Sequence, residues 1–213
     1  MLQELRPAVV LLALFTLLMG LAYPLAVTGL AQIVAPGNAN GSLVLRDGKV
    51  IGSALIGQAF AADRYFHGRP SATTATDPND ATKTIDAPYN AGNSAGSNLG
   101  PTSAKLMERV KADVAAWRKN GAGTVPADAV TTSAAGLDPD VSPANALSQV
   151  ERVERARGAA PADVRALVEA SVARPFAGVI GEPRVNVLIL NLALDRLQLA
   201  NPSAASQGAL EPK

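Results

Sequence analysis

One uninterrupted apolar run constrains this chain more than anything else in it. From Ala8 to Ile33 the sequence reads AVVLLALFTLLMGLAYPLAVTGLAQI, 26 residues without a charge. At about 1.5 Å of rise per residue this makes about 39 Å of helix, against a hydrocarbon core of about 30 Å. The run reads as a membrane span. Pro24 has no N–H and predicts a kink. Gly20, Ala22, Ala26 and Gly29 are small, as close helix–helix packing in lipid requires. A cleaved signal peptide is the competing reading, with Gly29-Leu30-Ala31 as its small-x-small site. The run is longer than the apolar core of such a peptide, so a retained anchor over residues 1–35 is expected.

Basic residues set the expected orientation. Arg6 and the terminal amine precede the span, and no further Lys or Arg occurs before Arg46. Cytoplasmic flanks carry the excess of Lys and Arg. The expectation is a single-pass protein with its N-terminus in the cytoplasm and its body outside, which in a two-membrane bacterium means the cell inner membrane and the periplasm.

About 170 residues follow the span, enough for a domain with a real core. Nineteen basic residues against 18 acidic give a net charge of +1, which is no electrostatic footprint for nucleic acid. The chain has no cysteine and one histidine, His67. An exported domain without cysteine relies on packing rather than disulfides, and zinc and thiol chemistry lack their ligands.

The boundaries follow from composition. Residues 36–42 (PGNANGS) read as a linker, 43–199 as one mixed α/β extracytoplasmic domain, and 200–213 as a disordered polar tail. Asp47-Gly48 between apolar runs predicts a type I′ hairpin with strands over 42–46 and 49–56. Residues 71–100 carry no helical or strand period and read as a long loop. Pro101 opens a helix whose stripe is Leu106, Val110, Val114 and Trp117, with Gly121 as its stop. A short strand is expected over 129–133. Ser142-Pro143 reads as a cap followed by a first-turn proline, opening a helix that stops at Gly158. A second helix from Pro161 buries Val164, Leu167, Val168 and Val172. Residues 184–192 (RVNVLILNL) read as a central buried strand.

Motifs that would carry chemistry are incomplete. Gly92, Gly96 and Gly100, with Ser97, Asn98 and Thr102, form a glycine-rich stretch before a helix, the kind of place a nucleotide phosphate binds. No lysine closes the motif, and the glycines serve equally as left-handed turn residues. His67 as a base with Ser71 or Ser103 would make an anchored hydrolase, but Asp63 is the one acidic residue near it. Asp138, with Asp140, is a loop carboxylate that draws cations toward the domain or caps a turn, and Glu182 and Arg184 bracket a proline-fixed turn where they orient one another or a partner loop.

Several segments together resemble a known family. They are Gly52-Ser-Ala-Leu-Ile-Gly-Gln58, Tyr65-Phe-His-Gly-Arg-Pro-Ser-Ala72, Ser94-Ala-Gly-Ser-Asn-Leu-Gly-Pro-Thr102 and Val125-Pro-Ala-Asp-Ala-Val-Thr131. Ser133-Ala-Ala-Gly-Leu-Asp-Pro139, Ile180-Gly-Glu-Pro-Arg-Val-Asn-Val187 and Leu190-Asn-Leu192 follow. In this order behind one N-terminal span they resemble the C subunits of the Kdp potassium-transporting P-type ATPase, nearly end to end. Asp140 and Ser103 depart from the family pattern, which usually has histidine and asparagine there.

The resemblance implies an accessory subunit without chemistry of its own. Its partners would be a potassium-binding channel-like subunit, a P-type ATPase subunit that hydrolyses ATP, a small single-span subunit and membrane lipid. Potassium would be the ion carried by the complex. The family is described as a catalytic chaperone that raises the pump subunit's affinity for ATP. From a periplasmic domain such an effect would be indirect, carried through helix packing; direct ATP contact at Gly92–Thr102 is the alternative. Expected partner-facing residues are Gly20, Pro24 and Gly29 on the span, and His67, Arg69, Asp138, Glu182 and Arg184 on the domain.

Overall fold

A computed structural model describes residues 2–119 and 123–200. The expected stop at Gly121 and the expected tail at 201–213 lie outside the described residues. Two compact units divide the chain, residues 1–53 and residues from Ala54 onward.

The first unit is helix followed by a hairpin. Helices α1 (Leu2–Leu17) and α2 (Tyr23–Val34) are joined without a break by a π-helical turn, Leu18–Ala22. Together they give one apolar stretch, Gln3–Val34, of 32 residues, long and apolar enough to span a membrane. The disturbance expected from Pro24 takes the form of that π turn. Pro24 has no N–H to give, and its ring crowds the carbonyl four residues back. The turn just before it widens, and the Tyr23 N–H bonds to the Leu18 carbonyl five residues earlier.

The expected linker holds a short helix, α3 (Pro36–Ala39). Strands β1 (Leu43–Arg46) and β2 (Lys49–Ser53) pair antiparallel as the Asp47-Gly48 turn predicts, with both turn residues at positive φ (52° and 76°). Strand β2 ends at Ser53, three residues short of the expected boundary. This hairpin falls in the first unit, not in the larger domain it was expected to open.

The second unit is the α/β domain. The expected loop at 71–100 contains a hairpin, β3 (Thr74–Asp77) and β4 (Asp80–Asp86). Its strands are threonine-rich, and β4 is exposed almost throughout. A hairpin with neither face in a core shows no apolar alternation, so a period search passes over it.

Helix α4 (Ala104–Lys119) turns the expected stripe of Leu106, Val110, Val114 and Trp117 inward together with Arg109 and Asp113, although none of them is fully buried. The expected strand near 129–133 is a helical turn, α5 (Ala127–Val130), flanked by extended Pro126 and Thr131.

Strand β5 (Asp140–Val141) leads to α6 (Pro143–Ser148). There the Ser142 hydroxyl accepts the Asn145 N–H, the expected cap. Helix α7 (Val150–Arg157) ends at Gly158 with φ 62°, as expected of a glycine stop. Helix α8 (Pro161–Ala170) buries Val164 and Val168, and Leu167 packs beside them. Val172 lies beyond the helix, in β6 (Val172–Ala173).

The expected strand over 184–192 is only three residues long, β7 (Arg184–Asn186), central between β5 and β6. The rest of the run is helix α9 (Val187–Ala200). Asn186 decides the change, because its side-chain oxygen accepts the Ile189 N–H and caps the helix. Val187, Leu190 and Leu194 then share one helical face and enter the core with Phe66, Val141, Val150, Val153, Val164, Val168 and Val185. Each such burial contributes about 1.5–3 kcal/mol.

Candidate functional site

The segment Tyr65–Arg69 is held along its length by side chains from other parts of the domain. Phe66 is fully buried. Its N–H donates to the Asn191 side-chain oxygen at 2.8 Å, and its carbonyl accepts the Asn191 amide at 2.9 Å. His67 is treated in the same way from the other side. Its N–H donates to the Gln149 Oε1 at 2.7 Å, and its carbonyl accepts the Gln149 Nε2 at 3.0 Å. Two side-chain amides, from α9 and from the α6–α7 junction, thus take the place of neighbouring strands.

Further groups lock this arrangement. Gln149 Nε2 also donates to Asn145 Oδ1, and Arg152 donates to Gln149 Oε1 and to the carbonyls of Asp63 and Tyr65. Asp128 accepts from the Ser142 N–H and hydroxyl and from the Asn145 amide, tying α5 to α6. The Arg157 guanidinium lies 4.8 Å from the Tyr65 ring centre and donates to Asp195 at 2.9 Å. That side chain is only 2% exposed.

Gly68 and Arg69 complete the segment. A Cβ at Gly68 would overlap the Tyr89 hydroxyl, and one at Gly57 would lie 2.5 Å from the same ring and 2.7 Å from the Asp138 carbonyl. The Tyr89 hydroxyl donates to the Arg69 carbonyl at 2.6 Å. Burial, aided by the Asp138 charge, pushes that phenol up to about 12. Arg69 reaches Asp138 at 3.0 Å. Beside this segment, between it and α4, lies a cavity of about 440 Å³.

The expected site residues separate into groups. His67, Arg69 and Asp138 do come together. Arg184 pairs with Asp140 at 3.0 Å rather than with Glu182, which is exposed. Burial raises the Asp140 carboxyl, and Arg184 opposes the shift. His67 Nε2 faces the Ala62 carbonyl at 3.2 Å. Burial first, and then the Arg152 charge, lowers its imidazole below the ordinary range. The Ser71 hydroxyl donates to the Gly136 carbonyl and accepts the Tyr89 N–H, so it is engaged away from the imidazole.

Along the glycine-rich stretch, Gly96 packs against Ala134, whose carbonyl would lie 2.6 Å from an added Cβ. Ser97 accepts a bond from Thr132, and Asn98 sits at φ 51°. Gly92 donates its N–H to Asn90; Gly100 accepts the Ser103 N–H, and Thr102 is exposed. On the span, a Cβ at Gly29 would meet nothing within 4 Å, and one at Gly20 would touch only Thr16.

Comparison with known sequences settles the family. The family model described as "KdpC: K+-transporting ATPase, c chain" matches residues 5–196. The chain belongs to the KdpC family. A Rhodopseudomonas palustris relative named potassium-transporting ATPase KdpC subunit is 62% identical over 196 residues, covering 92% of this chain and 98% of the relative. Relatives of the same name from Methylobacterium nodulans and Bradyrhizobium diazoefficiens are 64% and 60% identical, at the same coverages.

As a KdpC-family chain, the protein devotes its Tyr65–Pro70 motif largely to holding the domain together. Gln149, Asn191, Asp128, Tyr89 and Asp195 were not singled out from sequence. For the two amides a signal existed: each is a polar residue inside an apolar helical stripe, which marks a buried group with defined partners.

Proposed function

We propose that the chain is a non-catalytic subunit that holds the Kdp potassium-transporting ATPase together. In this reading the Gln3–Val34 helix anchors it in the inner membrane, and the domain lies on the periplasmic side. There it packs on the potassium-binding channel-like subunit. The P-type ATPase subunit hydrolyses ATP on the other face, and any gain in its ATP affinity travels through helix packing as a coupling free energy. The small single-span subunit completes the complex.

One observation carries this reading at the surface. Between Ala173 and Gly181 the chain makes a tight turn, closed by two bonds between Phe176 and Ile180, with Ala177 and Gly178 at positive φ. It presents Phe176, Val179 and Ile180 to solvent at 77%, 80% and 65% exposure. A rigid loop with three large apolar side chains outward is what a docking contact needs. Copurification of the complex on a tagged subunit tests it. Phe176→Ser with Val179→Ser should leave the domain folded and lose the potassium-binding subunit from the complex; full retention overturns the docking role. Added protease should cut the domain in right-side-out cells and spare it in sealed inverted vesicles; the reverse pattern overturns the orientation.

A further inference from the structure

We propose that the cavity beside His67 binds a small aliphatic carboxylate. Arg69, Arg109 and Arg152 reach it from three separate segments, while its wall holds one carboxylate, Asp113. Asp138 offsets Arg69 at 3.0 Å, but the nearest anion to Arg109 is Asp113 at 3.9 Å, beyond hydrogen-bond reach. Asp63 is also 3.9 Å from Arg152 but is 77% exposed and screened by water.

Three guanidinium groups line the cavity against one lining carboxylate. In addition, the Nε atoms of Arg69 and Arg109 are buried without a hydrogen-bond partner among the described residues. Guanidinium groups lining a concave site match a planar oxyanion. The cavity, at about 440 Å³, is of ligand size.

The charge balance and the walls choose among oxyanions. Asp113 on the same wall repels a dianion such as phosphate more than a monoanion. Trp117, Pro70 and Ala129 supply apolar surface for a short hydrocarbon tail. Burial raises the Asp113 carboxyl even against Arg109.

Trp117 is the only tryptophan in the chain, so its emission reports on this cavity. The full-length protein in detergent micelles is titrated with sodium butyrate, with sodium chloride at equal ionic strength, and with neutral butyramide. Butyrate should give a saturable change and the other two none. Arg109→Gln should weaken butyrate about tenfold, whereas Arg165→Gln, outside this cavity, should not. Asp113→Asn should tighten it severalfold, a gain that a purely structural change would not produce and that keeps the test valid if Arg109→Gln fails to fold. A non-saturating response, an equal response to chloride, or unchanged affinity in both cavity variants overturns the proposal. Tighter binding of inorganic phosphate overturns the carboxylate assignment. Tighter binding of a blocked Gly-Glu-Gly peptide overturns the small acid in favour of an acidic partner segment.

Discussion

The side-chain amide of Gln149 hydrogen-bonds to both backbone groups of His67, at 2.7 and 3.0 Å, across 82 residues of sequence. Gln149 is itself 1% exposed. Truncation would strand two backbone groups, the Asn145 oxygen and one Arg152 donor where water has little access. Gln149→Ala is therefore expected to cost about 3 kcal/mol, from lost bonds and unsatisfied groups together. Chemical unfolding of the full-length protein in micelles measures it. Gln149→Glu keeps the acceptor toward Arg152 and the His67 N–H but loses both donated bonds, so it should fall between wild type and the alanine variant.

Arg157 and Asp195 form the most sheltered ion pair among the described residues, with side chains 2% and 16% exposed. Removing one partner leaves the other charge without its main counter-ion in a low-dielectric setting. Asp195→Ala alone should destabilise by about 3–5 kcal/mol. The double variant Arg157→Met with Asp195→Leu should cost clearly less than the two single changes added together. A double-mutant cycle on thermal unfolding reads the difference, and strict additivity would show that the pair is not coupled.

His67 makes stability fall on the acid side. Its imidazole is held below the ordinary 6.5 by burial first and by the Arg152 charge second, with Asp63 and the Ala62 carbonyl opposing. The unfolded chain then takes up a proton more readily than the folded one. The stabilising difference is complete above pH 6.5 and is lost as pH falls through the folded value. Wild type should lose stability relative to His67→Gln as pH falls below about 6.5. The one imidazole in the chain can be followed directly by NMR. A His67 titration at or above 6.5 would contradict the sign.

Gly96 separates two readings of the glycine-rich stretch. An added methyl would meet the Ala134 carbonyl at 2.6 Å, a backbone atom that cannot rotate away. Gly96→Ala should cost about 1–3 kcal/mol by overpacking, while Gly100→Ala, with nothing within 4 Å of its Cβ, should cost well under half of that. Thermal unfolding ranks the two. A phosphate-cradling loop would instead require both glycines for ligand affinity and neither for stability.

Much of the architecture was legible because its signals are local. The uncharged run, the Asp47-Gly48 turn, the Ser142-Pro143 cap and the Gly158 stop each act within a few residues. The errors share a cause as well. The β3–β4 hairpin has no buried face, so Thr74 to Asp86 leaves no apolar alternation to find. The 184–192 run is mostly apolar, and a short run of that kind fits strand and helix alike until Asn186 caps it as helix. The candidate site was legible only in its residue types. Arg69 and Asp138 were both singled out, but their pairing spans 69 residues and depends on the closed fold. The Asn191 and Gln149 clamps could be suspected from polarity inside apolar stripes, but their backbone targets could not.

The wide turn from Leu18 to Ala22 has an effect beyond making room for a proline. A π turn holds roughly one residue more than an α turn, and one residue is about 100° of azimuth. Everything after Tyr23, Gly29 included, is rotated away from the bearing that an even count from Gly20 would assign. The two halves of this rod therefore offer their small-residue grooves to different compass points. A neighbour gripping the N-terminal half and another gripping the C-terminal half need not compete for the same side.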